Sequence, residues 1–271
     1  MTSEHWIDSH CHLLYDYDGK STETLINEAQ NENVTSLISI CCEAREVAPL
    51  QSISTQHPSV FYTAGVHPHS VEKIVATDWD VLKNALQDPK CVAVGEIGLD
   101  YYYDHSDREQ QREALTRLLD LAVEVQKPVV IHCREAEDDM LSALTLYAQK
   151  HPHKDRLGVI HCFTGTRKFA EACIDLGFYI SFSGILTFKN AADLRETAQA
   201  LPLKRLLVET DSPYLAPVPF RGKKCEPKMV VKTGEKLAEL HGVSIELLRD
   251  VTTENVRYLF ALPNPASKSS D

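Results

Sequence analysis

The feature that most constrains this chain is a regular recurrence of short apolar, β-branched runs along nearly all of its 271 residues. Each run is followed by a longer segment of helical periodicity. The intervals are 20 to 37 residues when the runs are counted from Trp6, Val34, Val60, Val92, Val129, Val159, Tyr179 and Leu206. Such intervals fit a strand followed by a helix. The predicted strands are Trp6–His12, Val34–Cys42, Val60–His67, Cys91–Leu99, Pro128–Cys133, Leu157–Phe163, Phe178–Gly184 and Leu206–Asp211.

Eight strand–helix units in succession predict an α/β fold, a single-domain (β/α)8 TIM barrel over residues 1–262, with 263–271 as a flexible C-terminal tail. The best-defined helix is Arg108–Gln126, with Asp107 as its N-cap. A doubly wound open sheet is the alternative. That fold would place a glycine-rich loop after the first strand, where this chain has His10-Cys11-His12.

Imidazoles and carboxylates stand at the carboxyl ends of five predicted strands, where a buried parallel strand is otherwise apolar. The carboxyl ends of all strands in a barrel meet at one mouth, so we expect these side chains to converge there. The residues predicted to bind metal are His10, His12, Glu96, His132, His161 and Asp211.

This ligand set is too large for one tetrahedral ion with an open position, but it suits two divalent ions that share a carboxylate. Period-two alternation puts His10 and His12 on the same face of their strand. Glu96, on the fourth strand, is the predicted bridge. Barrel order predicts the partition: His10, His12 and Asp211 around one ion, His132 and His161 around the other. The ligand types leave the choice among Mg, Mn and Zn open.

Charge and cysteine usage limit the classes of protein to consider. The formal net charge of −11 weighs against a protein that coats nucleic acid, but it does not exclude a nuclease whose cations act locally. The eight cysteines include no CxxC pair, and we interpret them as reduced. No apolar run is long enough for a membrane span and no secretory signal is recognisable, so we expect a cytoplasmic location. No pattern predicts an obligate protein partner.

The chain resembles the TatD family of metal-dependent deoxyribonucleases, within the amidohydrolase-like barrels. The resemblance is carried, in order along the chain, by Asp8–Leu13, Gly65–Pro68, Gly95–Tyr101, Ile131–Arg134, His161–Gly165, Glu209–Leu215 and Thr253–Asn255. It implies hydrolysis of phosphodiester bonds in DNA, with the six predicted ligands at the family's metal positions. One departure is Cys225, which stands where the family usually has Asn before Glu226-Pro227.

Further roles follow from the predicted mouth of the barrel. Glu96 and Asp211 are the catalytic candidates; Asp211 either deprotonates the attacking water or serves as a plain ligand. Asp8 and Glu209 share strand faces with metal ligands and are predicted to fix imidazole tautomers, or to make ordinary structural hydrogen bonds. The predicted phosphate-binding residues are His67, Arg134, Arg221 and Lys223. A solvated loop is the alternative interpretation of the last two.

Three functions remain in competition. The first is hydrolysis of DNA, with single-stranded DNA or 3′ ends as the expected substrate. The second is hydrolysis of another ester, lactone or amide on the same barrel, because binuclear sites serve all of these reactions. Some such enzymes use a modified lysine as the bridge, and no Lys lies within the predicted strands here. The third is a barrel that binds metal or nucleic acid without catalysis.

Overall fold

The computed structural model describes residues 5–263, and within this range eight parallel strands follow one another around a single sheet in sequence order. The strands are β1 (Trp6–Cys11), β2 (Val34–Ser39), β3 (Val60–Ala64), β4 (Cys91–Asp100), β5 (Val129–Arg134), β6 (Gly158–Ile160), β7 (Tyr179–Phe182) and β8 (Leu206–Val208). All eight predicted strands and the single-domain barrel are confirmed. Residues 1–4 and the predicted tail, apart from Pro263, lie outside the described range.

Helices separate the strands and cover the outside of the sheet. Their bounds are α1 (Thr22–Asn31), α2 (Val47–Gln56), α3 (Asp78–Ala85), α4 (Arg108–Val125), α5 (Glu137–Lys150), α6 (Arg167–Leu176), α7 (Ala192–Ala200), α8 (Val230–His241) and α9 (Ile245–Phe260). The Asp107 side chain caps α4 by accepting from the backbone N–H groups of Glu109 and Gln110 at 2.9 and 3.2 Å, as predicted. None of the described helices is both long and apolar enough to cross a membrane.

The interior of the barrel is filled by a cluster that draws at least one buried residue from every strand. Ile7 and Leu207 represent the two terminal strands in it, and Val256, Leu259 and Phe260 of α9 complete it. A larger cluster lies between the strands and the surrounding helices. The two layers of apolar contact are what an α/β barrel needs, because each strand is buried on both faces.

The barrel closes where β1 meets the segment after β8, and we call this junction the seam. Its backbone contacts are few: one bridge pairs Cys11 with Ser212, the Asp211 N–H donates to the His10 carbonyl at 2.9 Å, and the His12 N–H donates to the Ser212 carbonyl at 2.8 Å. Side chains add to them. The buried Asp8 carboxylate on β1 accepts from the Thr210 backbone N–H at 2.9 Å and from its hydroxyl at 2.6 Å. The seam therefore depends on side chains where the ladder is short.

Glycines let β4 approach its neighbours closely around Glu96. A Cβ at Gly95 would lie 2.7 Å from the Val130 Cβ, and a Cβ at Gly98 would collide with the His132 carbonyl oxygen. Gly98 also has a φ of 155°, a conformation that other residues rarely adopt. The glycines on either side of Glu96 thus fix β4 against β5, and with it the distance from Glu96 to His132.

Candidate metal centre

The predicted ligands converge at the mouth formed by the carboxyl ends of the strands. Glu96 lies at the centre of the group, and its side chain is only 3% exposed. Its Oε1 is 2.6 Å from His161 Nε2 and 3.2 Å from His132 Nδ1, while its Oε2 is 3.5 Å from His10 Nε2. The two oxygens of one carboxylate thus face imidazoles from opposite sides of the barrel.

Glu96 divides the cluster into two parts. The β1–β8 half consists of His10, His12 and Asp211, where Asp211 Oδ1 lies 3.3 Å from His12 Nε2 and 3.6 Å from His10 Nε2. The β5–β6 half consists of His132 and His161. The imidazoles of each half form, together with Glu96, a group whose ligand atoms lie within 4.8 Å of one another, with His10, His12 and Glu96 in one and Glu96, His132 and His161 in the other.

Both imidazoles of the β5–β6 half have a carboxylate at the ring nitrogen that faces away from Glu96. His132 Nε2 is 3.0 Å from Asp100 Oδ2, and His161 Nδ1 is 3.4 Å from Glu209 Oε1. An outer carboxylate that fixes the tautomer and the ring orientation is typical of metal-binding histidines. Glu209 thus lies where the sequence predicts an outer partner, and it also accepts from the Cys162 backbone N–H at 2.6 Å.

Asp8 has hydrogen-bond partners other than an imidazole. Among the described residues its carboxylate bonds to Thr210 and, at 3.3 Å, to the backbone N–H of His10, and to no imidazole. These contacts favour the structural alternative over the predicted role in fixing a histidine tautomer. The reason is that the polypeptide after β8 passes within hydrogen-bond distance of Asp8, so the carboxylate joins the two terminal strands.

Burial and mutual charge set the protonation of the cluster. Burial, together with repulsion from His161, lowers the pKa of His10 well below its usual range, so that imidazole is neutral. Burial opposes the charge on His161, but the Glu96 and Glu209 carboxylates outweigh it and raise the pKa of His161. Burial likewise opposes ionisation of Glu96, but His161 and His67 hold the pKa of Glu96 well below its usual value. The centre is thus an ionised carboxylate that attracts positive charge.

The donors fit a divalent cation. Both ring nitrogens of His10 and both of His161 are buried without a hydrogen-bond partner among the described residues. Unpartnered buried nitrogens are costly in a folded protein, and a bound cation would satisfy the nitrogen of each ring that carries the lone pair. His10 is also stacked on His161, with ring centroids 3.9 Å apart.

The four predicted phosphate-binding residues occupy three different places. His67 lies inside the cluster, with Nε2 3.4 Å from Glu96 Oε1, and burial lowers the pKa of His67 to about 4. Arg134 lines a central cleft of about 570 Å³ that also contains the cluster. Lys223 lines a second cavity, whereas Arg221 is stacked over Phe188 at 3.7 Å and lines neither.

Two groups at the site, Asp100 and Cys42, were given no role from the sequence. Asp100 follows Glu96 at period two and so shares its face. His69, a further phosphate-binding candidate from the sequence, donates to the same Asp100 oxygen as His132, at 2.8 Å. The Cys42 thiol lies 3.8 Å from Glu96 Oε2 and 3.9 Å from His12 Nδ1, and no sequence period indicates this contact.

The comparisons with known proteins agree with this site. The family model described as TatD related DNase matches residues 7–261. The chain is 40% identical over 257 residues to "Uncharacterized metal-dependent hydrolase YcfH" of Escherichia coli K12, covering 94% of this chain and 95% of the relative. It is 36% identical over 250 residues to "3'-5' ssDNA/RNA exonuclease TatD" of Erwinia billingiae, covering 90% and 94%.

A solved structure shows the same fold. The crystal structure of YJJV, a TatD homolog from Escherichia coli K12, superimposes with a TM-score of 0.89 at 30% identity and covers 97% of this chain and 100% of that one. The region matched by the family model contains β1 from Ile7 onward, the other seven strands and every residue of the two halves. This chain therefore belongs to the TatD family of metal-dependent hydrolases.

Proposed function

We propose that this protein is a deoxyribonuclease that hydrolyses phosphodiester bonds in single-stranded DNA and releases nucleotides from 3′ ends. The observation that carries the proposal is the convergence of four imidazoles on the buried Glu96, with Asp211 beside His10 and His12. A relative that is 36% identical bears the name of a 3′-5′ exonuclease of single-stranded DNA and RNA, which supports the choice of substrate.

Two divalent cations, Mg, Mn or Zn, would be held by this set. His10, His12 and Asp211 are proposed to hold one, His132 and His161 the other, with Glu96 shared between them, because its two oxygens face the two halves separately. Such a pair acidifies a bound water and neutralises charge on the phosphoryl oxygens.

The side chains of the protein divide the remaining work. Asp211 is proposed to orient the attacking water and accept its proton, because its side chain is 15% exposed and that of Glu96 only 3%. Glu209 and Asp100 hold the rings of His161 and His132 in place. Arg134, held over the ring of Tyr102 at 4.5 Å, presents a guanidinium to the phosphate at the edge of the cleft.

The test is release of nucleotides from a labelled single-stranded oligodeoxynucleotide by purified protein, with and without Mg²⁺ or Mn²⁺. We expect metal-dependent turnover that is abolished in Glu96→Ala. The matched control is Glu113→Gln, which changes an exposed carboxylate on α4, away from the strand ends, and should cleave at the parent rate.

Two outcomes would contradict the proposal. Turnover of a lactone or an amide without release of nucleotides would assign the cluster to a different hydrolysis. Product that never exceeds one equivalent per chain would indicate a protein that binds nucleic acid without catalysis. Contaminating nuclease is excluded because the Glu96→Ala protein is purified in the same way.

We also propose that the protein acts in the cytoplasm. All eight of its cysteines are free in the structure, and five of them, Cys11, Cys41, Cys91, Cys173 and Cys225, are buried at 0% exposure. Unpaired thiols in this number are usual in a reducing compartment. Fractionation of cells that express the tagged chain would test this placement.

A further inference from the structure

We propose that the cavity beside the central cleft binds the nucleotide adjacent to the scissile phosphodiester, with its base against Tyr214 and its phosphate at Lys223. This inference rests on the proposed nuclease function, because it assigns the neighbouring part of the same substrate. We call this space the side cavity. It measures about 550 Å³ and is lined by Tyr15, Asp16, Pro213, Tyr214, Gly222, Lys223 and Lys224.

The side cavity and the central cleft share one wall. Tyr15 and Tyr214 line both spaces. The Tyr15 ring is stacked on the imidazole of His12 at 4.7 Å, and the Tyr214 ring meets the Tyr15 ring edge-on at 6.1 Å. An aromatic series thus leads from a candidate metal ligand to the second space. A chain of nucleotides lying across the cleft would continue along this wall.

Tyr214 has the properties of a base-stacking surface. Its side chain is 54% exposed, although it stands on a short loop that is tied at both ends. The Tyr214 N–H donates to the Asp211 carbonyl at 3.0 Å, and the Cys225 N–H donates to the Pro213 carbonyl at 3.0 Å. The ring is therefore held at the mouth without being buried by the fold. Exposed aromatic rings beside a cationic surface are how proteins bind single-stranded nucleic acid.

The charge of the side cavity favours an anion. Lys224 is already paired, since its ammonium lies 2.9 Å from Asp16 Oδ2 and 3.8 Å from Asp18 Oδ1 and donates to the Asp16 carbonyl at 2.6 Å. Within residues 5–263 the structure gives the Lys223 ammonium no ion pair, and this side chain is exposed. Lys223 is thus a cation on the rim that is available to an anionic ligand.

The ligand that satisfies both features is a nucleotide with an unpaired base. A phosphate would meet Lys223, and a planar base would cover the exposed face of Tyr214. A base within a duplex has both faces covered by its neighbours, so this subsite selects single strands. A small phosphoester without a base could not stack on Tyr214, so this contact would add nothing to its affinity. The buried Cys225 packs with Ala216 and Met229, and this packing supports the loop that carries Tyr214.

The experiment measures binding of a 5′-fluorescein oligothymidylate by anisotropy, in full-length protein that carries Glu96→Gln to prevent turnover. We expect Tyr214→Leu to raise Kd on the order of 5- to 100-fold, as is usual for loss of one stacked base, whereas Tyr214→Phe binds like the parent. The matched control is Tyr258→Leu, which removes an exposed tyrosine of α9 that bonds to Asp155 away from the mouth. It should leave Kd unchanged.

A second measurement identifies the contact itself. One abasic residue is placed at each position of the oligonucleotide in turn. We expect a single position near the 3′ end at which the abasic ligand loses affinity for the parent but Tyr214→Leu causes no further loss. Lys223→Gln should reduce the slope of log Kd against log salt by about 0.7, the contribution of one phosphate contact to a single strand.

The outcomes separate this inference from the nuclease proposal. If Tyr214→Leu weakens every abasic ligand as much as the intact one, or has no effect while the wild type still cleaves DNA, the stacking inference is wrong and the nuclease function stands. If binding depends on Tyr214 but the wild type never cleaves, the subsite stands and the nuclease proposal is wrong. If the oligothymidylate does not bind, the subsite is overturned.

Discussion

The two halves of the candidate metal centre are built differently, although they share Glu96. In the β5–β6 half, His132 and His161 are each backed by a buried carboxylate, Asp100 and Glu209. In the β1–β8 half no described carboxylate backs an imidazole from outside. His12 Nδ1 faces the Cys42 thiol at 3.9 Å, and His10 Nδ1 has no hydrogen-bond partner there.

This difference separates ligands that the protein orients by itself from ligands that depend on the cation. An outer carboxylate orients an imidazole ring and raises its basicity before any ion binds. In the β5–β6 half Asp100 is hydrogen-bonded to His132, and Glu209 lies 3.4 Å from His161 Nδ1. Burial and the nearby Glu96 raise the pKa of the Cys42 thiol well above its usual range, so it remains neutral and is a weak partner for His12. We expect the two halves to respond unequally to the loss of their outer partners.

The largest effect should come from His161→Ala, which removes the imidazole nearest Glu96. We expect bound metal to fall from two ions to one per chain, with a loss of nuclease activity well beyond the ~10- to 100-fold typical of an outer partner. Elemental analysis of metal-loaded protein measures the number of bound ions, and oligonucleotide cleavage measures the activity. Two ions in the variant would show that the halves are not separate.

Next in size is the effect of Asp8→Ala on stability. The variant leaves two buried donors of Thr210 without their acceptor, and we expect the free energy of unfolding to fall by about 2 to 4 kcal/mol. Urea unfolding of protein dialysed against chelator measures it without a contribution from bound metal. Asp8→Asn, which keeps an acceptor, should lose less. An unchanged midpoint would contradict the role of Asp8 at the seam.

Glu209→Gln should act on the metal instead. It replaces the carboxylate 3.4 Å from His161 Nδ1. We expect the affinity of the β5–β6 half for its ion to fall about 10- to 100-fold. Competition with a chromophoric chelator measures this affinity, with Glu113→Gln as the exposed control. If only the affinity of the β1–β8 half for its ion changed, Glu209 would not be the outer partner of the β5–β6 half.

The smallest effect is expected for Cys42→Ala. Its contacts with Glu96 and His12 are long and involve a weak S–H donor, so metal affinity should change by less than about fivefold, or about 1 kcal/mol. The same chelator titration applies. A loss of metal affinity as large as that of Glu209→Gln would show that the two halves are supported equally by their outer partners.

The strands, and the convergence of the predicted ligands, could be predicted from the sequence because burial imposes a strong pattern on the strands. An imidazole or carboxylate at the end of an apolar run stands out against that pattern, as His161 and Asp211 do. The ends of the strands were less predictable. β6 ends at Ile160 and β8 at Val208, both earlier than predicted. The backbone beyond β8 is no longer extended at Asp211, which has a φ of 56°.

The contacts between distant segments could not be read in this way. The sequence gives Asp8 and Glu209 the same context, yet one bonds to Thr210 and the other faces His161. Likewise His67 turns into the cluster, and Tyr15 meets Tyr214 across the mouth. Each pairing depends on how far a side chain extends from its strand or loop. The periodicity of the sequence predicts the face on which a side chain lies, but not this distance.

The seam also affects how the molecule must be made. The Asp8–Thr210 hydrogen bonds join residues 202 positions apart, among the most distant contacts along the chain. Because β1 and the residue after it supply His10 and His12, and the segment after β8 supplies Asp211, the β1–β8 half is incomplete until the last strand has been synthesised. Contacts of such high order form late in folding and slow it. A nascent chain that lacks its final quarter therefore holds five of the six predicted ligands and lacks Asp211, which completes the set.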